Sequence, residues 1–110
     1  MTFKIAVGQV PSLRGDNKAN TDTHVRAIEA AGRLGVSYLV FPELSLTGYE
    51  PDLAENLAFT IYDNRIGPLI DSAVRNQVFV VVGAPLAARP LPHIGAIIMT
   101  PAGEFPRIQK

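Results

Sequence analysis

Phe3, Ile5 and Val7 interleave with Lys4, Ala6 and Gly8, a period of two that predicts a first strand. Pro11 to Gly15 reads as a loop, and Asp16 as a helix N-cap whose carboxylate accepts from an orphan amide of the first turn. From Asn17 to about Leu34 the period becomes helical. Ala27, Ile28, Ala31 and Leu34 fall on one side, Asp22, Arg26, Glu29 and Arg33 on the other. Asp22–Arg26 and Glu29–Arg33 are spaced as i,i+4 pairs, and Gly35 supplies the left-handed residue that stops the helix. Val36 to Phe41 predicts a second strand, closed by Pro42, which cannot donate to a ladder.

The segment 51–64 has no clear period, with a short helix expected near Asp52 to Asn56. Ile66, Leu69, Ile70, Ala73 and Val74 then form a second amphipathic stripe, with Pro68 in its first turn. Val78 to Val82 is an unbroken apolar run, the pattern of a strand covered on both faces. Gly83 to Pro92 carries three prolines and reads as a stiff loop near a crevice. Ile94 to Met99 predicts another strand, and Phe105 to Gln109 a last one after the turn residues Pro101 to Glu104. The order β-α-β-α-β-β-β predicts an α/β fold with three parallel strands joined by two right-handed crossovers, followed by a hairpin.

Composition narrows the chemistry. A hydrophobic fraction of 47% against 18% charged is that of a globular chain and excludes intrinsic disorder. Ten basic residues balance ten acidic ones, which leaves no electrostatic footprint for nucleic acid or an anionic membrane. No apolar run reaches the ~18 residues of a spanning helix. The chain has no cysteine, so disulfides and thiolate metal sites are excluded, and a reducing, cytoplasmic setting is expected.

One segment carries a candidate for chemistry. The second strand delivers Glu43 at its carboxyl end, where open α/β sheets place their ligand crevices. Read alone, such an acid more often caps a turn or pairs with an arginine than acts in catalysis. The whole stretch Phe41-Pro42-Glu43-Leu44, followed by Thr47-Gly48-Tyr49, resembles the nitrilase, or carbon–nitrogen hydrolase, superfamily. The opening Ile5-Ala6-Val7-Gly8-Gln9 and the β-α-β order agree with it.

The resemblance implies the N-terminal half of an α-β-β-α sandwich and a Glu-Lys-Cys catalytic set that hydrolyses non-peptide carbon–nitrogen bonds. Glu43 matches the glutamate that serves as general base and acid. Lys110, which follows Gly103-Glu104-Phe105 at a similar distance, matches the lysine that stabilises the tetrahedral intermediate. Ile108-Gln109 stands where a Tyr-Arg type of pair often precedes that lysine, so a solvated chain-end charge is the competing reading of Lys110. Tyr49 either lines the pocket or packs its loop. The cysteine lies downstream of the lysine in the family and has no counterpart here, so these 110 residues, read as one partial domain, are expected to be inactive alone.

The implied partners are a small amide or nitrile and water, within a homo-oligomer, and no metal or organic cofactor is implied. A glutaminase role is compatible with Thr47-Gly48-Tyr49. The alternative from another class is a non-catalytic half-domain that pairs through an exposed strand edge as an assembly or binding module. Other candidates are weaker. His24 reads as a hydrogen-bonded histidine near the apolar side of the first helix, and His93 as a loop residue. Glu50 and Asp52 read as solvated loop acids. The two histidines lack metal-ligand spacing, and Gly8, Gly48 and Gly83 form no dinucleotide fingerprint.

Overall fold

The structure, a computed structural model, describes residues 3–48, 53–60, 63–104 and 106–109. Its elements are β1 (Ile5–Val7), α1 (Asn17–Arg33), β2 (Tyr38–Val40), α2 (Ala54–Leu57), α3 (Gly67–Asn76), β3 (Phe79–Leu86), β4 (His93–Met99) and β5 (Arg107–Gln109). A 3-10 turn, Asn64–Ile66, leads into α3. The five strands form one sheet in the order β1-β2-β3-β4-β5. The first three are parallel, and β3, β4 and β5 are antiparallel neighbours. This is the expected topology, with α2 and the 3-10 turn filling the segment that had no clear period.

Local chemistry accounts for the helix ends. The Asp16 carboxylate accepts from the Ala19 amide at 3.1 Å, as an N-cap should. Leu34 caps the other end and Gly35, at φ 72°, turns the chain toward β2. Leu34 is therefore exposed rather than part of the buried stripe. Neither expected i,i+4 pair forms among the described residues: Asp22 pairs instead with Lys18 at 3.9 Å, and Arg26 donates to the Thr23 hydroxyl. α3 ends on Gln77 in the left-handed region, and its side chain donates to the Val74 and Pro101 carbonyls.

Both crossovers step the same way along the sheet, so both long helices land on one face, where α1 packs against α3. Ile28, Leu69 and Ala73 from the helices meet Leu39, Val80, Val82, Ile97 and Met99 from the strands in the core. The opposite face is different. Register aligns Ile5, Tyr38 and Phe79 in one row and Val7, Val40, Val81 and Ile98 in the next. Ile5 and Val7 are 68% and 73% exposed, and the rest of these rows is half-buried. Phe3, Tyr38 and Phe79 form an aromatic ladder across it, with centroid separations of 5.3 and 4.5 Å. β3 is thus not covered on both faces, as its apolar run predicted. Its sequence is that of a two-sided strand, and only one side is filled among the described residues.

β3 also runs past Val82 to Leu86, through the stretch expected to be loop. Pro85 is tolerated because β2 has already ended beside it. There the Pro85 carbonyl accepts from the Phe59 amide at 2.8 Å and the Phe59 carbonyl accepts from the Ala87 amide, so no amide is needed at position 85. Arg65 secures this segment. It donates to the Leu57 and Ala58 carbonyls and to both Asp63 oxygens, and lies 3.8 Å over the Phe59 ring. No helix among the described residues is long and apolar enough to cross a membrane.

Candidate active site

Glu43 sits just beyond β2, and the backbone on either side of it is hydrogen-bonded. Phe41 extends the ladder by one bond, its amide donating to the Val81 carbonyl at 2.8 Å. After Pro42 the chain folds back over β3. The Ser45 amide donates to Pro42, the Leu46 amide to Gly83, and the Thr47 and Gly48 amides to Leu44. The carbonyls of Ser45, Leu46 and Thr47 accept from the Ser12 hydroxyl, the Asn20 side-chain amide and the Gly15 amide. All polar groups of the 44–47 backbone that this turn removes from the sheet ladder except the Leu44 amide thus find a stated partner.

That closure imposes a strained residue. Leu44 adopts φ 55°, a left-handed conformation that costs a leucine about 1–2 kcal/mol, and its side chain is buried. Leu44 turns inward and Glu43 outward. The Glu43 side chain is exposed, and among the described residues none hydrogen-bonds or ion-pairs with it. It borders a crevice of about 380 Å³ whose walls include Val40, Val81, Gly83, Ile94 and Ala96. These belong to the open sheet face, so the carboxylate and the uncovered apolar surface share one side of the molecule.

Beneath the turn lies a buried polar chain. The Gly83 amide donates to Ser45 Oγ at 3.2 Å, and Ser45 Oγ lies 2.9 Å from His24 Nε2. His24 Nδ1 lies 2.6 Å from the Asn20 carbonyl, and the ring packs 4.2 Å from that of Phe41. Burial pushes the His24 pKa below its usual value, with the Asn20 hydrogen bond opposing the shift in part.

Of the residues expected in the site, Glu43 is at the crevice. Lys110 and Tyr49 lie outside the described residues, as do Glu50 and Asp52. His93 opens β4 rather than lying in a loop, and it is exposed. His24 is more deeply buried than its helical position suggested, with no exposed surface. Gly83 was read only as a loop glycine, yet it touches the Glu43 turn directly. No group of three or more histidine, aspartate or glutamate side chains among the described residues is placed to hold a metal ion.

The model of the carbon-nitrogen hydrolase family matches residues 4–110, nearly the whole chain. The chain belongs to the carbon-nitrogen hydrolase family. Solved structures share its fold. The NitN amidase from Nesterenkonia sp. AN1 superposes with a TM-score of 0.81 at 22% identity, over 99% of this chain and 44% of that one. A cysteine variant of that amidase in complex with butyramide superposes with a TM-score of 0.82 at 22% identity, over 98% and 42%. XC1258 from Xanthomonas campestris, a CN-hydrolase superfamily protein with an arsenic adduct in its active site, gives 0.82 at 15% identity, over 96% and 39%. The chain therefore spans less than half the length of these structures, and its sheet corresponds to the N-terminal part of the nitrilase fold. No curated protein sequence matches it.

Proposed function

We propose that this chain is the glutamate- and lysine-bearing half of an amidase of the carbon–nitrogen hydrolase family, with the nucleophilic cysteine supplied by residues beyond it. The observation that carries the reading is Glu43 at the carboxyl end of β2 above an apolar crevice, within a chain that the family model matches over residues 4–110. Glu43 would take the thiol proton as the thiolate attacks the amide carbon, and return it to the departing amine. Water would then hydrolyse the thioester. Lys110 would stabilise the oxyanion of the tetrahedral intermediate. It follows Gln109, whose register partner Ala96 is a wall of the crevice.

The substrate we assign is a small amide or nitrile. A crevice of about 380 Å³ is within the range of small-molecule sites, and the Nesterenkonia amidase has been captured with acrylamide and butyramide. Tyr49 would line the same crevice. The open face, with Val7 and Ile5 exposed, supports a partial domain whose second β-layer completes the sandwich. The reading extends to a cytoplasmic homo-oligomer. The rival is a non-catalytic module that pairs through an exposed strand edge.

Ammonia release from acrylamide and butyramide by the protein carrying its cysteine-bearing remainder separates the two. Turnover that is lost in Glu43→Gln supports the amidase. An intact mass no larger than the 11.8 kDa of this chain, with no partner that restores turnover, leaves only the binding module.

A further inference from the structure

The Glu43 carboxylate has no partner among the described residues, so its backbone is what fixes where the side chain starts. That backbone is held by the turn's own hydrogen bonds and by the polar chain beneath it, and proton accounting fixes the direction of every bond in that chain. The Gly83 amide can only donate, so Ser45 Oγ accepts from it. The Asn20 carbonyl can only accept, so His24 Nδ1 carries a proton. Burial keeps the ring neutral, which leaves Nε2 bare to accept the Ser45 hydroxyl proton. The chain therefore runs Gly83 N–H to Ser45 O–H to His24 Nε2, and His24 Nδ1–H to Asn20.

This arrangement ties three separate elements to one point two residues from Glu43. Gly83 reports the position of β3, and His24 and Asn20 that of α1. Ser45 belongs to the turn itself. Asn20 repeats the connection, since its side chain also donates to the Leu46 and Leu13 carbonyls and accepts from the Leu13 amide. A left-handed Leu44 persists only where its surroundings over-determine it, and this chain adds side-chain hydrogen bonds to the backbone bonds that close the turn.

We propose that His24 and Ser45 are positioning residues for Glu43, acting through the hydrogen-bond chain that joins α1 to the Glu43 turn and to Gly83. The inference deepens the amidase reading and rests on it for the role of Glu43, but the chain of bonds can be tested separately. Removing the hydroxyl in Ser45→Ala leaves the Gly83 amide and His24 Nε2 without their partner at almost unchanged volume. His24→Phe keeps the ring packed on Phe41 without either nitrogen. His24→Gln restores an acceptor for Ser45.

Two readouts are taken on the same variants, each first shown by thermal melting to be folded. In protein labelled with 13C and 15N, His24 is expected as the Nδ1–H tautomer. Ser45→Ala should shift both His24 Nε2 and the Glu43 side-chain carboxyl resonance. In amide hydrolysis, Ser45→Ala and His24→Phe should lower kcat by about tenfold to a hundredfold with little change in KM, and His24→Gln should recover part of the loss. Absence of turnover in the unmutated protein overturns the amidase reading but not the hydrogen-bond chain, which the resonances decide. An Nε2–H tautomer, or a folded Ser45→Ala protein with unmoved Glu43 resonances and unchanged kcat, overturns the positioning role.

Discussion

Gly83 lies directly beneath Leu44: a β-carbon at position 83 would stand 2.3 Å from the Leu44 amide nitrogen. It would also come within 2.4 Å of the Pro42 carbonyl oxygen. Both contacts are to backbone, which cannot swing aside as a side chain does. Gly83→Ala must therefore lift the Glu43 turn, costing about 1–3 kcal/mol by overpacking. The same displacement should cost about a hundredfold in turnover. Urea denaturation and ammonia release measured on one preparation check both, and an alanine variant with unchanged activity would show that the turn does not need this close approach.

Glu43 should separate chemistry from stability. It is exposed and unpartnered among the described residues, so Glu43→Gln is expected to change stability by no more than about 0.5 kcal/mol. In the proposed role of general base and acid it should nonetheless be worth about a hundredfold to ten-thousandfold in rate. Melting temperature and kcat together test this. A large stability loss in Glu43→Gln would make the acid structural.

These two residues also mark how far the sequence could be read. Glu43 was visible because a strand, a proline and an acid stand consecutively, and that information is local. The importance of Gly83 was hidden because the contact that requires it comes from residues about forty positions earlier. Its neighbours Pro85, Pro90 and Pro92 pointed to a loop, and nothing in sequence showed that β2 would stop early enough to let Pro85 sit in a strand. His24 was legible as a residue near the apolar side of a helix, while Ser45, which completes the chain, reaches it only through folding. The exposure of Val7 was equally hidden, since alternation predicts a strand but not which face the helices cover.

Arg65 is expected to be the most sensitive surface-near cation. It supplies the only described ties from a side chain to the Leu57 and Ala58 carbonyls, and it stacks on the buried Phe59 ring. Arg65→Lys keeps the charge but loses the planar fork, and should cost about 1–3 kcal/mol. The Arg65 side chain holds the Asp63 carboxyl below its usual range. The folded state thus binds fewer protons than the unfolded one there, so this contribution is present above the ordinary carboxylate pKa near 3.8 and is lost as pH falls through the folded value. Arg65→Lys should flatten that acid limb in denaturation curves taken below about pH 5.

The open sheet face makes a prediction of its own. Phe3, Ile5 and Val7 are 59%, 68% and 73% exposed along one edge of a continuous apolar surface. Such a patch binds hydrophobic dyes and drives association. Val7→Lys should reduce dye fluorescence and self-association of the 110-residue chain without unfolding it, because position 7 contributes little burial there. In the protein with its second layer present, the same substitution should be strongly destabilising, since it would place a charge between two packed sheets. Equal effects in both settings would argue against a sandwich that closes over this face.

His24 gives the pH dependence that is easiest to isolate. Burial lowers its pKa from 6.5 in the folded state; the hydrogen bond to the Asn20 carbonyl opposes this in part, and none of the stated ring contacts, with Asn20, Ser45 and Phe41, carries a charge. Between the folded and unfolded values the unfolded chain holds more protons, so stability rises with pH across that window. The contribution is complete above the unfolded pKa and is lost as pH falls toward the folded one. Urea midpoints measured between about pH 5 and 8 should therefore fall on the acid side, and His24→Gln should remove this slope while keeping an acceptor for Ser45. A slope that survives in His24→Gln would assign the proton to another group. A slope of opposite sign would mean that His24 is held charged, which would reverse the donor and acceptor at Ser45.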